Sequence, residues 1–255
     1  MWEKAKAFWS GNSLRVELVS TRICPQWRLD SLATPVEELA ELFSLAGAPP
    51  LQPRYNIAAS QRVAVIRLSP GDGWRQLDLM QWGFITAWVK DPAKARQPIN
   101  AKSETVAELP TFRAAFRQRR CLIPAEGFYE WKQEGGRKQP VYIRMKSEEP
   151  FAFAGLWERW VGEEDEFIES CTILTTEPNE LLEPIHNRMP VILDPKDYEL
   201  WLDPDVQEVS RLKPLLHPYP PDQMTYYLVN LRVNNPRNDD ALCVEPLPQT
   251  RIPKL

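Results

Sequence analysis

Four short stretches carry side chains suited to proton transfer or to holding an anion. They are Arg54-Tyr55-Asn56, Pro98-Ile99-Asn100-Ala101-Lys102-Ser103-Glu104-Thr105, Glu126-Gly127-Phe128-Tyr129-Glu130-Trp131 and Ile185-His186-Asn187-Arg188-Met189-Pro190. An imidazole titrates near neutrality and a carboxyl can be tuned toward it, so His186 and Glu130 are candidates for acid/base work. Each residue also has a plain structural reading. Asn100 can cap a turn, a strand carboxylate such as Glu130 usually faces water, and Arg188 and Lys102 can be solvated charges. His186 is one of two histidines, the other being His217 in a proline-rich loop.

The elements that must position these residues are short. The 255-residue chain has 25 prolines against 10 glycines, which implies many stiff connections within one elaborate domain. Thr34-Pro35-Val36-Glu37 reads as a capping box opening a helix through Phe43. Alternation predicts a strand over 62–68, a helix spans about 110–118, and Cys121-Leu122-Ile123 is a short strand. Strands at 128–132 and 141–145 flank Glu134-Gly135-Gly136 as a hairpin. Further strands are expected over 151–160, 167–175 and 225–229. Helices are expected to start at Asp194-Pro195 and at Asp203-Pro204, the second reaching Leu212. Without a regular βαβ rhythm, α+β is the expected class.

Composition narrows the function. A net charge of −4 has the wrong sign for coating nucleic acid, though a local basic groove remains compatible with it. Cys24, Cys121, Cys171 and Cys243 are scattered, with no C-x-x-C pair and no histidine at ligand spacing, so no metal site and no disulfide framework is expected. No apolar run approaches a membrane span, and Glu3, Lys4, Lys6, Asn12 and Arg15 break up the first 23 residues. The cytoplasm is the expected location.

In this order, the motifs around Asn100, Glu130 and His186 resemble the SRAP family, the SOS-response-associated-peptidase or abasic-site-processing proteins. The resemblance runs from about Arg28 to Pro246 and includes Trp82-Gly83 and Val233-Asn234-Asn235-Pro236. It implies a single α+β domain with a bent, barrel-like, mostly antiparallel sheet flanked by helices. It also implies a monomer that binds abasic sites in single-stranded DNA, without a cofactor, and attaches to the exposed sugar aldehyde. In that family role Asn100 positions the sugar, Glu130 is an acid/base group and His186 assists proton transfer. Arg54, Asn56, Lys102 and Arg188 would follow the phosphates and sugars, and Trp88 would stack on bases beside the gap. Family members usually carry proline where Thr86 stands.

The family's cross-link needs a cysteine with a free α-amine. The amine forms an imine with the aldehyde, and the thiol closes a thiazolidine ring. Chains of the family begin methionine, cysteine, glycine, arginine. Here Cys24 falls in register with that start, followed by Pro25 and Gln26 in place of glycine and arginine. The expected organisation is an atypical segment 1–23, an SRAP-like domain over 24–246 and a tail over 247–255. Three accounts of the start compete: cleavage after Ile23 exposing Cys24, a non-covalent binder of abasic or single-stranded DNA, and an altered start of the sequence.

Overall fold

The structure is a computed structural model that describes residues 28–163 and 166–248; Cys24 lies outside them. In chain order the elements are β1 (Arg28–Ser31), α1 (Val36–Phe43), β2 (Leu45–Gly47), β3 (Ile57–Ala58), β4 (Arg62–Leu68) and β5 (Arg75–Trp82). There follow β6 (Asn100–Lys102), α2 (Arg113–Gln118), β7 (Arg120–Ala125), β8 (Gly127–Glu134), β9 (Arg137–Met145) and β10 (Phe151–Val161). The last are β11 (Phe167–Thr176), β12 (Met189–Pro190), β13 (Ile192–Leu193), α3 (Tyr198–Leu202), α4 (Val209–Leu212) and β14 (Met224–Leu228).

The fold is α+β and mostly antiparallel, as expected. One sheet runs β14-β9-β8-β1-β3. The other runs β12-β11-β10-β7-β4-β5-β2, and β11 also pairs in parallel with β5, so β11, β10, β7, β4 and β5 close a hydrogen-bonded ring. Such closure removes exposed strand edges. The strand predicted over 62–68 has both faces covered. Val63 and Val65 join the cluster shared with Phe128 and Ile143, while Ala64 and Ile66 join the cluster under Leu39, Phe43, Phe116 and Trp201 of the helices. The 8–9 hairpin turns through Gly135 and Gly136 at φ 55° and 80°, the left-handed geometry of a two-residue turn.

Two helix expectations need correction. Thr34 does not cap α1, which has no side-chain cap; the Thr34 hydroxyl is given to Glu126 instead. Asp203-Pro204 does not open a helix, and only Val209–Leu212 is helical in that stretch. The carbonyls that a longer helix would use are taken by Arg120. Its buried guanidinium donates to Trp201 O, Asp203 O and Val206 O, and to Phe116 O and Arg117 O at the end of α2. Burial lowers the Arg120 pKa to about 10, which still leaves it cationic at neutral pH. No helix among the described residues is long and apolar enough to cross a membrane.

Candidate functional site

Glu130 lies on β8 two residues beyond Phe128, so both point to one face of the strand, and that face is the apolar one. The side chain is only 3% exposed, against the usual habit of strand carboxylates. Its Oε1 is buried and makes no hydrogen bond among the described residues. Burial pushes the carboxyl well above the ordinary carboxylate range, opposed only in part by the Trp131 backbone N–H. A carboxyl so placed keeps its proton to higher pH than an exposed one and can deliver it.

His186 Nδ1 stands 3.8 Å from Glu130 Oε1. That is too long for a direct hydrogen bond, and the pair attracts as ions only when the imidazole is protonated. The ring is held from behind by the Arg188 backbone, whose N–H lies 3.1 Å and whose carbonyl oxygen 3.0 Å from Nδ1. Nδ1 accepts from the first or donates to the second according to its tautomer. The His186 N–H donates to Leu182 O at 2.9 Å, which ties the residue to the turn preceding it.

Asn100 is delivered from another direction. Its strand β6 pairs in parallel with β11, with Asn100 opposite Ile173 and Lys102 opposite Thr175. The approach to β6 is pinned by Trp82, whose indole donates to Ile99 O at 2.9 Å, and by Phe84 N–H on Pro98 O at 3.0 Å. Gly83, between them, has φ 143°, which suits glycine. Asn100 Oδ1 is buried and makes no hydrogen bond among the described residues. Thr175 also pairs with Pro190 of β12, so the Lys102 and Met189-Pro190 stretches lie on opposite edges of one strand.

The expected DNA-contacting residues separate into two groups. Lys102 and Trp88 are exposed, Trp88 to 60%, on the turn closed by Val89 N–H on Thr86 O. Arg188 instead holds Glu104 with both ends of its fork, at 2.6 and 2.9 Å, and donates to Thr175 O at 2.6 Å. This contact keeps the Glu104 carboxyl below its ordinary range. Arg54 pairs with Asp239 and donates to Gln61. Asn56 is fully buried, and its amide donates to Val233 O, Asn235 O and Asn238 O. The Asn56 side chain therefore cannot reach DNA at the surface, which corrects its expected role.

Arg54, Tyr55 and Asn56 build a hub with the 233–239 loop. Asp239 Oδ1 accepts the N–H of Tyr55 and of Asn56, at 2.5 and 2.9 Å. The Tyr129 hydroxyl donates to Tyr55 O, and the Trp131 indole donates to Asn234 Oδ1. The two residues flanking Glu130 are thus both anchored to this hub. Asp239 escaped the sequence reading, and so did the pairing of Glu104 with Arg188, since the partners lie far apart along the chain.

The remaining described cysteines are scaffold. Cys121, Cys171 and Cys243 are buried as free thiols, and burial raises the pKa of Cys121 and Cys171. A buried thiol that resists ionisation is a poor nucleophile. Among the described residues no group of three or more His, Cys, Asp or Glu could hold a metal ion.

One sheet closed into a ring of strands, and a second sheet whose β8 sets a buried carboxyl beside an imidazole, define the α+β class of this protein. The chain belongs to the family described as SOS response associated peptidase (SRAP), whose model matches residues 24–236. Abasic site processing protein YoqW of Bacillus subtilis (strain 168) is 40% identical over 219 residues, covering 84% of this chain and 97% of that protein. Abasic site processing protein YoaM of the same organism is 44% identical over 191 residues, covering 74% and 83%. The crystal structure of a Bacteroides thetaiotaomicron protein (structural genomics target BtR8) superposes with a TM-score of 0.77 at 27% identity, covering 86% of this chain and 98% of that one.

Proposed function

We propose that this chain binds abasic sites in single-stranded DNA and captures the ring-opened deoxyribose through Cys24, once cleavage after Ile23 makes Cys24 the N-terminus. The observation that carries the proposal is the buried Glu130 carboxyl beside His186, with its Oε1 making no hydrogen bond among the described residues. A second support is the path of β1. Leu29 pairs with Phe128 and Arg28 with Tyr129, so β1 enters the sheet from the Glu130 end. The three described cysteines, being buried, leave Cys24 as the candidate nucleophile.

The α-amine of Cys24 adds to the sugar aldehyde, and the resulting carbinolamine loses water as Glu130 supplies a proton to the departing hydroxyl and takes one back from the nitrogen, leaving the neutral imine. The thiol then adds to the imine carbon, its proton passing to the ring nitrogen, and the thiazolidine closes. His186 relays protons while the deoxyribose ring opens, and the Asn100 amide holds the sugar. Lys102 neutralises phosphate and Trp88 stacks on an adjacent base, while Arg188 exchanges Glu104 for a phosphate. The setting is cytoplasmic DNA repair.

The test is the intact mass of the protein made in its own cell, before and after mixing with single-stranded DNA carrying one abasic site. Adducts stable to heat are expected only on chains that begin at Cys24. A heat-stable adduct on chains still carrying Met1 overturns the mechanism. Retained single-stranded DNA binding with no adduct on any chain leaves the non-covalent alternative. His186→Ala should slow adduct formation by about 100-fold; an unchanged rate removes His186 from the relay.

A further inference from the structure

Glu126 closes the joint between β7 and β8, and its carboxylate turns back onto a segment far away in sequence. Oε1 accepts the backbone N–H of Ala33 at 2.9 Å and of Thr34 at 2.6 Å, together with the Thr34 hydroxyl. Oε2 lies 3.4 Å from the donating Ser31 hydroxyl. The Glu126 N–H donates to Ser31 O at 2.9 Å. The Ser31 hydroxyl also meets the buried Tyr142 hydroxyl.

These contacts surround a register shift. Leu29 pairs with Phe128, but Ser31 pairs with Gly127, so Asp30 is one residue too many for the ladder. A four-residue strand with a bulge has little of its own to fix its register. A slip of one residue moves the chain about 3.3 Å and turns every side chain to the other face. From Ser31 back to Arg28 the ladder runs along β8 from Gly127 to Tyr129, one residue short of Glu130. Any error in register therefore arrives directly at the acid.

We infer that Glu126 is a positioning residue: by reading the N–H groups of Ala33 and Thr34 it sets the register of β1 and aims the preceding segment at Glu130. The inference rests on Cys24 being the nucleophile. It assigns Glu126 no contact with DNA and no part in proton transfer. Its effect is geometric, so a glutamine should replace it, because the amide oxygen accepts the same two N–H groups.

The experiment uses the chain in the form that begins at Cys24, as wild type, Glu126→Ala, Glu126→Gln and the milder Thr34→Val. Hydrogen exchange of the backbone over 28–34 should accelerate in Glu126→Ala and stay near wild type in Glu126→Gln. Affinity for single-stranded DNA carrying an unreactive tetrahydrofuran site should stay within about twofold, because phosphate and base contacts set it. Adduct formation at saturating abasic DNA should fall about 100-fold in Glu126→Ala and recover in Glu126→Gln. Thr34→Val, losing one bond of the set, should fall between them and decides the matter if Glu126→Ala does not fold. A wild-type rate in Glu126→Ala, or no recovery in Glu126→Gln, overturns the inference and leaves the cross-linking function intact. If the wild type forms no adduct, that function fails instead. Hydrogen exchange then decides the register lock, which unchanged protection in Glu126→Ala overturns.

Discussion

Replacing Glu130 by glutamine is expected to slow covalent capture by about 10²–10⁴-fold while making the fold more stable at neutral pH. The loss follows from removing the only buried acid beside His186 among the described residues. The gain follows from linkage. In the unfolded chain the carboxyl titrates near about 4.3, whereas in the folded protein burial holds its proton to higher pH. Between those two values the folded state binds more protons than the unfolded state. The contribution of Glu130 to stability is thus fully present below about 4.3 and is lost as pH rises through the folded value. Glutamine does not titrate and escapes that loss. Denaturant midpoints of both proteins from acid to neutral pH isolate the effect, because every other carboxyl cancels in the difference. A constant difference across the range would show that burial does not raise this carboxyl.

Gly127→Ala carries the second large effect, this time on stability, at about 3 kcal/mol. Alanine in a strand ordinarily gains over glycine by restricting the unfolded chain. Here an added Cβ would stand 2.3 Å from Tyr142 Cζ and 2.6 Å from Ile143 O. The tyrosine is 3% exposed and packs against Tyr129 and Tyr227, so its ring cannot swing clear. Urea midpoints should drop for Gly127→Ala, and adding Tyr142→Ala should not restore them, since the backbone oxygen remains in the way. A midpoint at or above wild type would mean that β8 and β9 can part by enough to admit a methyl group.

Elements with internal pattern could be read from the sequence alone. The β8–β9 hairpin announced itself by paired glycines, and β4, β10 and β11 by apolar content and length. The two- to four-residue strands β1, β2, β3 and β6 hold no period to detect, and only their partners define them. β5 was legible in principle, but Leu79 is 40% exposed and blurs its alternation. Motifs brought Glu130 and His186 to attention, and the fold places them within 3.8 Å. The same motifs misled at Asn56, because an amide that serves three buried carbonyls looks in sequence like one free to meet a ligand. The partners of Arg54 and Arg188 were likewise invisible, as an ion pair leaves no trace when its acid is distant.

The placement of β1 between β3 and β8 has a consequence for how the chain folds. β1 is made first, yet β8, a neighbour it requires, comes from the middle of the chain. During synthesis β3 can pair with β1 early, but its other edge must wait until β8 has left the ribosome, a high-contact-order step that is intrinsically slow. A processing step before residue 24 would thus have a natural time window, closed by the folding of the central sheet.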